Sequence, residues 1–248
     1  MSNVYTLMSQ AAGADYGVAD SLEVKGQFVQ TSFTSSYNSG GIAVGADVAG
    51  YTRYNVVVEG GGTIATDRDV TSTVEIGTAS PIISLTRVVG QLPTSTSYKQ
   101  WSGIHYGINT GGATRQVVVT TETGFTRSYG GRVYVIYVPE GYGLELYDTA
   151  STFGSTSMSI TLDTPTADSV MFAGAQFRNG EPTPLLSFGG TSGLNTDTRL
   201  DTATNENFYS GSKFFRGANT GLTVTAEDAT AAGAESVLVG AVFKAVLL

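Results

Sequence analysis

Ser157-Met158-Ser159-Ile160-Thr161-Leu162-Asp163 carries an apolar side chain at every second position, and Gly221-Leu222-Thr223-Val224-Thr225-Ala226-Glu227 repeats the pattern. Side chains of an extended chain point alternately to opposite faces, so a period of two predicts strands with one face buried and one face wet. Outward from these two stretches, from about Ser80 to the last residue, short Val/Ile/Phe-rich runs alternate with Gly, Thr, Ser and Asn turns, and nothing reads as a long helix. Strands with turn signals between them predict an all-β chain: a jelly-roll-like antiparallel β-sandwich with an N-terminal β or irregular extension.

The expected organisation is a docking or oligomerisation region over residues 1–79 and the sandwich over 80–248. In the first region Leu22–Phe28 alternates, and Tyr54–Glu59 reads as a buried strand closed by Gly60-Gly61-Gly62. In the second, Trp101–Ile108, Arg115–Glu122, Arg132–Val138, Leu144–Tyr147, Ser169–Arg178, Phe208–Phe215 and Ser236–Leu247 read as strands. Gly111-Gly112 and Gly130-Gly131 are expected separators. Asn179-Gly180 is the strongest turn signal, joining Phe172–Phe177 to Leu185–Phe188. Thr52–Val58 and Thr114–Val119 resemble each other and raise the question of an internal duplication.

Composition narrows the function classes. The 248 residues are 41% hydrophobic, enough for a core, but only 14% charged, against about a quarter in globular chains. Such a surface favours a protein covered partly by copies of itself or by partners. A net charge of −8 without any Lys/Arg run argues against nucleic acid, which needs a basic face. The absence of cysteine removes disulfides, thiolate metal sites and a Cys nucleophile. Met1–Met8 lacks the pattern of a signal peptide, and Ser236–Leu248 is too short and interrupted to span a bilayer. The expectation is synthesis and assembly in a cytoplasm, with no membrane insertion.

Little catalytic chemistry is written on the chain. His105 is the single histidine, so any Ser/His/Asp triad passes through it. It alternates with Ile104, Tyr106 and Ile108, which places it with Gly103 and Gly107 on the opposite face, as a polar strand residue. No nucleophile elbow, zinc-protease or phosphate-loop motif occurs. Glu140, Glu145, Asp148, Glu181 and Asp201 are carboxylates that a glycosidase would pair, but nothing selects two of them. Asn195, Asp197, Asp201, Asn205 and Glu206 gather oxygen ligands of the type calcium prefers on the loop 189–207, without EF-hand spacing. Neither a catalytic residue, a metal ligand nor a cofactor is assigned. Aromatic rings stack on sugars and anchor interfaces; Trp101, Tyr129 and Tyr142 are the candidate glycan or partner contacts, the two tyrosines standing beside glycines in expected loops. Tyr134 and Tyr137 are expected core and subunit-contact residues.

From about Pro81 onward the chain resembles the jelly-roll domains of virion surface proteins of tailed bacteriophages, of head-decoration, head-fibre or tail-fibre type. The residues that carry this are Ser157–Leu162 followed by Pro165-Thr166-Ala167-Asp168-Ser169-Val170-Met171-Phe172-Ala173, then Thr220–Thr225 and the closing Glu235–Val242. The resemblance implies a non-enzymatic, homo-oligomeric virion protein that contacts other virion proteins and a host-envelope glycan. The reading from a different class is a stand-alone carbohydrate-binding lectin-like module; a glycan-degrading spike is a third.

Overall fold

The computed structural model describes residues 5–6, 21–30, 37–38, 42–44, 48–63, 72–76, 83–91, 99–109, 116–121, 129–166, 168–178, 185–189, 191–192, 200–201, 206–215, 217–228 and 236–248. Among them every regular element is a strand. In chain order these are β1 (Tyr5–Thr6), β2 (Ser21–Gln30), β3 (Tyr37–Asn38), β4 (Ile42–Ala43), β5 (Tyr51–Thr63), β6 (Ser72–Ile76), β7 (Ile83–Ser84), β8 (Thr86–Gln91), β9 (Lys99–Asn109) and β10 (Gln116–Thr121). They continue with β11 (Tyr129–Pro139), β12 (Tyr142–Gly154), β13 (Ser157–Thr164), β14 (Ser169–Arg178), β15 (Leu185–Phe188), β16 (Thr191–Ser192), β17 (Leu200–Asp201), β18 (Glu206–Phe215), β19 (Asn219–Glu227) and β20 (Ser236–Leu247). All the pairings are antiparallel, and the expected all-β sandwich class is what the chain forms.

Four sheets result. Sheet I runs β3-β10-β6-β7, with β4 also on β10. Sheet II runs β1-β2-β11-β5-β9-β8, sheet III β12-β20-β14-β18-β17, and sheet IV β13-β19-β15-β16. They stack in that order. Tyr54, Val56, Val58, Ile104, Tyr134, Ile136 and Val138 of sheet II meet Val170, Phe172, Phe208, Val239, Ala241 and Phe243 of sheet III. The other face of sheet III sends Met171, Ala173, Ala175, Phe177, Tyr209, Leu238 and Val242 against Met158, Ile160, Leu162, Leu186, Phe188, Val224 and Ala226 of sheet IV. Each large side chain so buried stabilises the fold by roughly 1.5–3 kcal/mol relative to exposure.

The position of a strand in the stack is written in its sequence. Sheet III is covered on both faces, so β14 and β20 are nearly continuous apolar runs, as strands buried on both sides are. Sheet IV is outermost, and β13 alternates exposed and buried along its whole length.

Several expectations need correction. Asn179-Gly180 lies outside the described residues, but the strands on either side of it are not a hairpin: β14 pairs with β18 and β20 in sheet III, whereas β15 pairs with β16 and β19 in sheet IV. Gly130-Gly131 separates nothing, because both lie inside β11 and are buried. Gly60-Gly61-Gly62 likewise belongs to β5; a Cβ on Gly60 would stand 2.5 Å from Cδ2 of Phe208, so the glycine is there for close approach and not to end the strand. Pairing within sheets changes hands at Glu140-Gly141: strands up to Pro139 build sheets I and II, and strands from Tyr142 build III and IV. The expected division at 79/80 falls within the first set, where β5 hydrogen-bonds to both β9 and β11.

Candidate functional site

Several exposed apolar side chains lie near the turn that joins the two sets, and Leu146, Tyr147 and Phe153 are exposed further along β12. The Glu140 amide donates to the Gly50 carbonyl at 2.8 Å, the Leu248 amide donates to the Gly141 carbonyl at 2.9 Å, and the Tyr51 amide donates to the Val48 carbonyl at 3.2 Å. These bonds tie both the 48–51 turn and the end of β20 to Glu140-Gly141. Tyr142 stands opposite Leu247 in the β12–β20 ladder, half-buried and packed on the sheet II–III core. A Cβ on Gly143 would touch Leu248 at 2.8 Å and the Tyr54 hydroxyl at 3.4 Å, and Ile108 is the cross-strand partner of Tyr54. Around Tyr142 the chain therefore leaves Val48 44%, Ile108 40%, Leu247 77% and Leu248 81% exposed. This apolar rim is the candidate site.

Of the three aromatic candidates, Tyr142 belongs to this rim, at the start of a long strand and not in a loop. Trp101 is 1% exposed: its indole lies across the Gly103 position of the same strand, 3.0 Å from where a Cβ would be. It offers no ring face to a ligand, which corrects its candidacy. Tyr129 opens β11 opposite Gln30 and Gly61, so it too is a strand residue where a loop is expected. The rim's other members were missed. Ser236–Leu248 reads as one buried strand, but burial holds only as far as Phe243 and then falls away.

His105 does share a face with Gly103 and Gly107, as its alternation predicts. That face is turned to sheet I, together with Arg53, Asn55, Glu59 and Asn109, all buried. His105 Nε2 lies 2.7 Å from Glu59 Oε1, with side chains 2% and 0% exposed. A pair so enclosed reaches no substrate; its role is to join β5 to β9 inside the stack.

The carboxylates separate in the same way. Asp148 accepts the Thr149 amide on one oxygen and the Asp163 amide on the other, both at 2.8 Å, clasping β13 to β12 at the bulge after Leu146. Glu145 is exposed and 3.9 Å from Lys244, a surface pair worth at most about 1 kcal/mol. Glu181, and Asn195, Asp197 and Asn205 of the expected calcium loop, lie outside the described residues. Among the described residues no three His, Asp or Glu side chains gather as a metal centre.

No protein-family model matches this chain, and no curated protein matches its sequence.

Proposed function

We propose that this chain is a non-enzymatic structural subunit of a tailed-phage virion surface, a decoration or fibre component assembled in the host cytoplasm. It associates with copies of itself and with other virion proteins, and meets the host envelope through glycan contacts. The observation that carries the reading is the set of exposed apolar side chains near the turn at Tyr142, the kind of surface that a protein contact covers. The low charge of the whole surface supports it, because copies packed side by side then bury few ions.

The test is the solution mass of the full-length chain by light scattering, beside glycan titration and a glycan-cleavage assay on the same sample. A stable oligomer that cleaves nothing supports the structural subunit. A monomer that binds glycan would replace this reading with a lectin-like module, and cleavage lost on substituting one carboxylate would replace it with a spike enzyme.

A further inference from the structure

Numbering the main strands of the second set one to eight, as β12, β13, β14, β15, β16, β18, β19 and β20, makes sheet III read 1-8-3-6 and sheet IV 2-7-4-5. The first set counts the same way. With β2 as one, β3 and β4 as the two pieces of strand two on β10, then β5, β6, β7, β9, β10 and β11, sheet II reads 1-8-3-6 and sheet I 2-7-4-5. Even the accessory strands agree: β8 and β17 each precede strand six in the chain and pair along its outer edge. Eight strands split between two sheets in this order form the two Greek keys of a jelly roll.

The central strands of the two sets also meet in matching pairs, while β8 packs in addition on β12 and β20. Strand three of each, β5 and β14, cross one another; β9 packs over β14 and β20, and β18 packs over β5 and β11. Strand six of either set thus covers strands three and eight of the other. Close approach is reciprocal too. A Cβ on Gly60 of β5 would meet Phe208 of β18 at 2.5 Å and Gln176 of β14 at 3.0 Å, and one on Gly174 of β14 would meet Val58 of β5 at 2.6 Å and Ser102 of β9 at 3.0 Å. Contacts that survive exchange of the partners define an isologous, two-fold interface.

We infer that the chain is two tandem copies of one eight-stranded jelly-roll unit, 21–139 and 142–247, fused as a dimer whose self-complementary faces are sheets II and III. The resemblance between Thr52–Val58 and Thr114–Val119 does not mark the repeat, since β5 and β10 are strands three and seven of one unit. The consequence for assembly is that the face a single unit would use to pair with a second copy is already occupied within the chain. Contacts between chains fall to other surfaces, among them the rim, which lies where the two units join. The inference stands whatever particle or ligand the protein serves.

Two circular permutants of the full chain test it, each joining Leu248 directly to Met1. Both open in turns outside every strand: one between Glu140 and Gly141, at the joint between the units, and the other between Ser155 and Thr156, within the second unit and between its strands one and two. The expected result is that the first melts cooperatively within about 5 °C of the parent, a shift that a small change in stability gives a chain of this size, while the second melts well below it. Its crystal structure should relate the two units by about a half turn. Equal loss in both permutants, or units related by a rotation far from a half turn, would overturn the inference.

Discussion

Single residues decide how tightly the inner sheets approach. Gly60 and Gly174 stand where a methyl group would enter Phe208 and Val58, so Gly60→Ala and Gly174→Ala each force side chains off their rotamers. Each is expected to destabilise by about 1–3 kcal/mol, measured by urea unfolding. The Glu59–His105 pair is a different case, because removing one partner takes a 2.7 Å polar contact out of the interior. Glu59→Ala is expected to cost about 1–3 kcal/mol, the range for removing one member of a buried hydrogen-bonded pair, read from the same denaturation curves. Two tyrosines set the alkaline limit. Burial, then the neighbouring Tyr54 and Glu145, push the Tyr106 hydroxyl well above its ordinary value, and it donates to the Leu144 carbonyl. Burial also raises Tyr134, outweighing its 2.8 Å hydrogen bond with Ser210. Both are held neutral in the fold while the unfolded chain ionises near pH ~10. The unfolded state then binds fewer protons, so stability is complete below that pH and falls as pH rises above it. Melting temperature measured from pH 8 to 11 should decline at the top of the range, and more shallowly in Tyr106→Phe.

At the scale of elements, alternation identified strands well and their neighbours poorly. The pattern of Ser157–Asp163 and Gly221–Glu227 is physical, since both strands sit in an outer sheet with one wet face, and they pair with each other. β14 and β20 were legible as strands because sheet III is buried on both sides and demands continuous apolar runs. The partner of β14 was not legible: an Asn-Gly signal reports a turn, and a turn serves equally to reverse within one sheet or to cross to the next. Glycine misled for a related reason. At Gly60 the missing side chain admits Phe208 of the neighbouring sheet, and Gly130-Gly131 lies buried within β11; both are needs that only tertiary structure reveals. The exposed end of β20 was hidden because Leu247 and Leu248 continue an apolar run whose burial depends on what lies opposite. Asp148 could not be distinguished from a catalytic carboxylate by residue type, yet its two backbone bonds give it a structural role. Asp148→Ala leaves the Thr149 and Asp163 amides without their acceptor, and a loss of about 1–3 kcal/mol is expected on thermal unfolding.

For the whole molecule, the four-layer stack turns most of its apolar surface inward, and among the described residues the exposed large apolar side chains fall on Leu146, Tyr147 and Phe153 of β12 and on the rim at the joint between the two sets. If self-association is the function, that rim carries it, and its exposed members Val48, Leu247 and Leu248 are replaceable without opening any core. The most direct measurement is sedimentation velocity of the full-length protein over a hundredfold range of concentration, beside the triple variant Val48→Ser, Leu247→Ser, Leu248→Ser. The parent is expected to sediment as a discrete oligomer and the variant as a folded monomer with an unchanged circular dichroism spectrum. A parent that stays monomeric throughout, or a variant that assembles as the parent does, would contradict the account.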